Sequence, residues 1–297
     1  MKDSIYSRLL TYAYNIVGSY DDSHDIVQDA MEKYISMDKS KVEHEVNYLI
    51  KMVINLSINF KKKSKKFSRY GIWLPEPITT ESADAPLLKE QVANYSIMVL
   101  FEELNPKERA VFILKEGFDY KHDDIAEVLD MSSDNSRKLF SRAKKKLKNQ
   151  SFKKDLPPQE CLSPYVDALM QADMKKLESL FADDIVLMAD GGDSVKVVTR
   201  ITEGKQQTAE LLQYVYAMFL DGKKRIFNYI NHQPALWFMK GEKIISCMIF
   251  NFDDQQKLTA VYSIVDPNKL KSLVHRSGFT HNHHVAQLLD YLEQHLN

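Results

Sequence analysis

The sequence predicts a multidomain chain in which two all-α helical domains precede an α+β domain, and three observations carry that expectation. Through the first 150 residues, apolar side chains recur every three or four positions, the spacing of helices that bury one face. Beyond residue 180, strand-like apolar runs take over. Two proline-bearing stretches, GIWLPEPITT and SFKKDLPPQECLSP, interrupt the pattern where domains should part. The expected boundaries are 1–70, a linker at 71–88, 89–150, a second linker at 151–160, and 161–297. A chain of 297 residues with 44% hydrophobic content can fill that many cores.

In the first domain the apolar spacing (Ile5, Leu9, Tyr12, Ile16) gives one helix, and Ile26, Ala30, Met31 and Tyr34 give another after a break at DDSHD. A third, NYLIKMVINLSINFKKK, puts Leu49, Met52, Val53, Leu56 and Phe60 on one face and ends in cations that suit the negative end of the helix dipole. The strip from Gly71 to about Leu88 holds Glu76, Glu81 and Asp84 without a single Lys or Arg. Its prolines favour extended backbone, so it reads as an acidic tether reaching on the order of 55 Å at ~3.3 Å per residue.

After the tether, LLKEQVANYSIMVLFEEL reads as helical. NPKE then restarts the pattern, with Asn105 as N-cap, Pro106 at the first helical position and Glu108 completing a capping box. HDDIAEVLDMSSDNSRKLFSRAKKKL gives a short helix, a break at Asp130-Met131, and a longer helix capped by Ser132 or Ser133. Ile125, Ala126 and Leu129 should face Leu139, Ala143 and Leu147, leaving Arg137, Lys138, Arg142, Lys144 and Lys145 elsewhere on the second helix. A cationic helix presented by a helix-turn-helix can enter a major groove, where Arg reads guanine edges and Lys neutralises phosphate. The alternative is a solvated basic helix in a bundle.

The third domain opens at Ser163-Pro164 with a helix burying Val166, Leu169, Met170, Leu177, Leu180 and Phe181. Strands are expected at DIVLMAD, VKVVTRI, RIFNYIN, ALWFMK, KIISCMIFNF and LTAVYSIV, interrupted by the helix GKQQTAELLQYVYAMF. This is an α+β layout with a curved sheet over helices.

Other patterns narrow the class. Cys161 and Cys247 lie far apart without a CxxC spacing, which argues against a disulfide framework or zinc knuckle and suits a reducing cytoplasm. No apolar run approaches the ~18 residues that suggest a membrane span, nor is a secretory signal legible. The formal charge of −1 hides lysines bunched at 61–66 and 144–148.

The segment LNPKERAVFILKEGFDYKHDDIAEVLDMSSDNSRKLFSRAKKKL resembles the promoter-binding domain 4 of extracytoplasmic-function sigma factors of the sigma-70 family. Asp130 stands where that family usually has Gly, and Ser136 where an apolar residue is common. On this resemblance Asn135, Arg137, Lys138, Ser141, Arg142, Lys144 and Lys145 would contact DNA. DSHDIVQDAMEKYI resembles the family's domain 2 helix that docks on RNA polymerase, with Asp25, Gln28 and Asp29 at the matching positions; alone, they would read as a solvated acidic face. NYLIKMVINLSINFKKKSKK resembles the following helix, which meets the melted promoter, so Lys51, Asn55, Lys61, Lys62 and Lys63 would face DNA, with a base pocket near Asp38 to Val46.

WLPEP (Trp73, Leu74, Pro75, Glu76, Pro77) resembles a signature of the subgroup that carries a SnoaL-like C-terminal extension. The third domain is similar to that SnoaL-like branch of the cone-shaped fold shared with nuclear transport factor 2 and ketosteroid isomerase. Asp190, Gly191 and Gly192 match the start of the subgroup's DGGGK motif, with Asp193 and Ser194 replacing its Gly-Lys. Asp266, Pro267, Asn268, Lys269 and Leu270 resemble its NPDKL motif with Asn and Asp exchanged. The resemblance implies that these motifs form an internal regulatory interface, and that core RNA polymerase and promoter DNA are the partners.

Three competing readings stand beside it. Asp190 in an apolar pocket could act as a base, as in ketosteroid isomerase relatives, although Asp-Gly-Gly is more often a turn. Trp237, Phe238, Tyr214 and Phe250 could line a pocket for a small-molecule ligand, or be plain core. HNHH (His281, His283, His284) could hold a metal, or be a turn before the amphipathic helix with Val285, Leu288, Leu289 and Leu292. The preferred reading is a non-catalytic cytoplasmic transcription initiation factor that assigns no catalytic residue, no cofactor and no metal.

Overall fold

The structure is a computed structural model that describes residues 5–40, 42–64, 69–80, 87–148, 152, 159–271, 273, 287–288 and 291–292. The chain divides into two compact units: Met1–Lys65, Asp84–Lys153 and Ser277–Asn297 form the first, and Lys66–Ala83 with Lys154–Arg276 form the second.

In the first unit, α1 (Ile5–Val17) and α2 (Tyr20–Ser36) are separated at Gly18, whose positive φ of 79° ends α1. Ser19 then caps α2 by accepting from the Asp22 amide. The expected break at DDSHD is therefore displaced. Asp21 and Asp22 lie in the first turn of α2, where acids complement the helix dipole. α3 (Glu45–Lys63) buries Leu49, Ile50, Val53, Ile54, Ser57 and Ile58. Met52, Leu56 and Phe60 are only half-buried, so the core face is rotated from the one the spacing predicts.

LLKEQVANYSIMVLFEEL is not one helix. A 3-10 turn at Lys89–Gln91 precedes α4 (Tyr95–Leu100), because the Asn94 side chain caps a new start by accepting from the Ile97 amide. α5 (Pro106–Phe112) begins with the predicted capping box between Asn105 and Glu108. α6 (His122–Val128) and α7 (Ser133–Lys146) form the helix-turn-helix, with Asp130 at φ 47° in the turn and Ser132 capping α7. Ile125, Leu129, Leu139, Ala143 and Leu147 are buried as expected, while Ala126 is only half-buried.

The second unit holds α8 (Ser163–Met170), α9 (Met174–Ser179) and α10 (Lys205–Val215), with a π-turn at Tyr216–Leu220 and a short α11 (Pro267–Lys271). They accompany a six-stranded sheet: β1 (Phe181–Asp190), β2 (Thr202–Glu203), β3 (Lys224–Ile230), β4 (Gln233–Lys240), β5 (Lys243–Phe252) and β6 (Leu258–Ile264), ordered β2-β1-β6-β5-β4-β3. Among the described strands only β1 and β6 pair in parallel. Tyr165, Phe181, Leu212, Phe238, Phe250 and Val261 belong to the core between helices and sheet. VKVVTRI forms no strand; β2 begins just after it. Ser163 is the first residue of α8 rather than its cap.

His281, His283, His284, Val285 and Leu289 lie outside the described residues, as do Glu81, Asp84 and most of the second linker.

Candidate functional site

Two groups of residues merit description, one in each unit.

In the second unit, residues 69–80 are fastened to the sheet domain as a strap instead of hanging free as a tether. One end pairs Gly71 with Asp190 at the end of β1, and the other pairs Thr79 with Ile230 at the end of β3. Those two strands are four steps apart in the sheet, about 19 Å at about 4.8 Å per step, so the strap crosses the sheet's end. Its backbone is satisfied locally. The Ile72 amide donates to the Ala189 carbonyl at 2.8 Å. The Ile78 amide donates to Asn231 Oδ1 and the Asn231 amide returns a bond to the Ile78 carbonyl, each 2.9 Å. Leu74, Pro75, Glu76, Pro77 and Ile78 are all buried.

Asp190 is the hub, with no solvent exposure. Its Oδ2 accepts from the Leu74 amide at 2.8 Å and from Lys269 Nζ at 2.5 Å, and its Oδ1 accepts from the Gly192 amide at 2.9 Å. Lys269 Nζ also donates to the Leu74 carbonyl at 2.5 Å and sits 4.5 Å from the Trp73 ring centre, a cation–π distance. The glycines have a mechanical role here. Gly192 has φ 58°, and a Cβ there would collide with the Asp266 carboxyl group. The DGG, DPNKL and WLPEP motifs, more than 70 residues apart in pairs, thus converge on one carboxylate. Asp190, expected as a base in one reading, has its oxygens engaged by a lysine and two amides. Asn231 was not legible as an anchor: it follows a strand and has φ 45°, which signals only a turn.

The aromatic residues weighed as a pocket lining are placed differently from one another, with Trp237 half-buried. Phe238 and Phe250 are fully buried core, while Tyr214 is exposed.

In the first unit, α7 presents its cations as the spacing predicts. Asn135, Lys138, Ser141, Arg142 and Lys145 are exposed, and Lys138, Arg142 and Lys145 have no acidic partner among the described residues. Arg137 pairs with Asp134 at 3.0 Å, and Lys144 with Glu116 at 3.4 Å. Ser136 is buried, and its hydroxyl meets His122 Nδ1 at 2.9 Å, so the polar residue in the helix pair has a hydrogen-bond partner. Burial, then Lys115 and Arg137, hold the His122 pKa below the ordinary imidazole value. On α2, Asp25 and Asp29 are exposed and Gln28 is half-buried.

The α3 cations differ from one another. Lys62 and Lys63 are exposed, and Asn55 is half-buried. Lys61 instead binds both carboxylate oxygens of Glu102 at 2.7 Å, and Lys51 binds Asp130 at 2.6 Å. Arg109, fully buried, donates from Nε to the Asn15 carbonyl at 2.9 Å and from Nη1 to Glu102 at 2.7 Å. Sequence reading missed Asn15, Glu102 and Arg109, which carry no motif of their own. A cavity of about 470 Å³ opens beside Lys51, lined by residues that include His44, Tyr48, Tyr120 and Glu127.

A family model for Sigma-70 region 4 matches residues 95–147, the segment from α4 to the end of α7. The chain is 26% identical over 220 residues to the ECF RNA polymerase sigma factor SigJ of Mycobacterium tuberculosis, covering 71% of this chain and 70% of that protein. It is 23% identical over 200 residues to the probable ECF RNA polymerase sigma factor SigI of the same species, covering 64% and 69%. The crystal structure of Mycobacterium tuberculosis SigJ superposes with a TM-score of 0.73 at 23% identity, over 91% of this chain and 97% of the other, so the fold is shared along nearly the whole length.

Proposed function

We infer that the chain is an extracytoplasmic-function sigma factor of the sigma-70 family with a SnoaL-like C-terminal domain, and that it directs core RNA polymerase to promoter DNA. The observation that carries this reading is the region 4 match over 95–147, coinciding with a helix-turn-helix whose second helix exposes Lys138, Arg142 and Lys145. Cations on such a helix supply the phosphate contacts that give affinity, and polar side chains such as Asn135 supply contacts to base edges. Asp25, Gln28 and Asp29 on α2 would meet the polymerase, and the α3 lysines with Asn55 would meet the melted strand. The polymerase does the chemistry; the chain itself binds and positions.

Regulation in cis is assigned to the second unit. Its clamp of Asp190, Lys269 and the WLPEP strap holds the segment that joins the helical groups in sequence, so the state of the clamp sets how much slack that segment has. A SnoaL-like enzyme is the less favoured reading, because Asp190 is sealed beneath the strap and engaged by Lys269.

Transcription from a promoter library with purified core polymerase tests the reading. Transcripts that start at a defined sequence only when the chain is added support it. Their absence with both the full chain and C-terminally shortened chains overturns it.

A further inference from the structure

We propose that the second unit carries a binding site for a phosphorylated nucleoside, in the cleft between α8 and the start of β3, where three cations without carboxylate partners stand beside an apolar wall. The inference goes beyond the sigma-factor reading, and its test does not depend on that reading.

The stretch DGKKRIF builds the site. Gly222, at φ 67°, turns the chain out of the π-turn at Tyr216–Leu220, and β3 follows at once, so Lys223, Lys224 and Arg225 gather at the start of the strand. Alternate residues of a strand share a face. Arg225 pairs with Phe238 and Phe227 with Leu236, which puts both on the face that carries the core between sheet and helices. The Arg225 guanidinium touches the Met170 thioether at the end of α8. A cavity of about 460 Å³ opens there, lined by the three cations, Phe227 and Met170, and its size falls in the range of roughly 300–1,000 Å³ that small-molecule sites occupy.

The charge of the lining points to an anion. Lys223 and Arg225 are half-buried, and neither they nor the exposed Lys224 pairs with a carboxylate among the described residues. A charge drawn partly out of water without a counter-ion is costly, and a bound anion offsets that cost. Cations that merely blunt an edge strand have no reason to leave solvent, whereas these two line a cavity. A single carboxylate, Asp167 of α8, stands against the three cations in the lining. Three cations call for a multiply charged group, which a phosphate chain supplies and a lone carboxylate does not; the arginine can fork onto two phosphate oxygens while the lysines act as point charges.

The apolar wall points to a ring. Phe227 is 38% exposed and Met170 48%, both unusually open for side chains of their kind. An exposed aromatic beside a cationic track is the arrangement on which a nucleobase stacks while its phosphates are held. Asp167, exposed and without an ion-pair partner among the described residues, is placed to accept from a ribose hydroxyl or a ring amine.

Calorimetric titration of the full chain tests the site with three probes: adenosine triphosphate, tripolyphosphate and adenosine. The triphosphate should bind with a stoichiometry of one and more tightly than either fragment. Arg225→Gln should weaken it by about tenfold or more, the loss expected for a charge-assisted hydrogen bond. Phe227→Ala should weaken it by about tenfold and leave tripolyphosphate unchanged. Replacing Lys138, Arg142 and Lys145 of α7 by alanine should leave triphosphate binding intact. Each variant is checked for a folded circular dichroism spectrum, and should Arg225→Gln not fold, Lys223→Gln combined with Lys224→Gln takes its place. Three results overturn the site: no saturable binding by wild type up to about 1 mM triphosphate; equal binding of triphosphate and tripolyphosphate with no effect of Phe227→Ala; or binding that is lost with the α7 changes and kept with Arg225→Gln. None of them touches the sigma-factor reading.

Discussion

Asp190 and Lys269 illustrate how a pair of side chains can fix a whole segment. A buried lysine–aspartate pair is costly to form and costlier to break on one side, because the remaining charge keeps its desolvation penalty. Lys269→Met should therefore destabilise the second unit by about 3 kcal/mol, and Asp190→Asn combined with Lys269→Met should cost less than the two single changes added together. Thermal unfolding of the four proteins would measure the coupling, and strict additivity would show that the pair does not act as one. At Glu102, burial alone would raise the carboxyl pKa, but Arg109 and then Lys61 outweigh it, and the folded value lies below the ordinary one. The sign follows: the stabilisation is present above the unfolded glutamate value and disappears as pH falls through the lower folded value. Unfolding of wild type should become easier below about pH 4, and Glu102→Gln should flatten that part of the profile.

At the level of elements, much was legible because the signal was local. The capping box at Asn105 and Glu108, the left-handed Asp130 and the cap at Ser132 all sit within four residues of what they control. The failures have the same cause in reverse. The rotated face of α3 depends on which neighbours receive Ile50 and Ile54, and the break at Asn94 depends on one side chain defeating a continuous apolar pattern. From composition and spacing the strap was legible as extended but not as anchored, since its partners Asp190, Asn231 and Lys269 lie 116 to 195 residues away from Leu74 and Ile78; only the motif resemblance linked WLPEP to Asp190 and Lys269, and nothing pointed to Asn231. For α7, the free cations give an element-scale expectation. Replacing Lys138, Arg142 and Lys145 by alanine should weaken promoter binding across sequences and lower the salt slope by roughly one unit per lost phosphate contact. An unchanged slope in an anisotropy titration would remove this helix from the DNA interface.

For the whole molecule, the decisive question is whether the clamp in the second unit communicates with transcription, and the chain offers a clean way to ask it. Asp266, just before α11, donates its amide to the Asp190 carbonyl, and Lys269 within α11 holds the strap. A chain ending at Lys271 retains both residues, whereas one ending at Val265 loses them. Both lack everything after residue 271, so the tail contributes equally to each and cancels from the comparison. Without Lys269, Asp190 stays buried but loses that ammonium, and the strap loses the donor to the Leu74 carbonyl. The segment 69–80 should then detach more readily, seen as faster exchange of the Leu74 and Ile78 amides. If slack in that segment sets sigma activity, the two truncations must differ in promoter-dependent transcription. The single substitution Lys269→Met in the full chain should shift activity in the same direction as the shorter truncation. Equal transcription from all three, with the strap amides demonstrably exchanging faster in two of them, would mean that the clamp stabilises the second unit and regulates nothing.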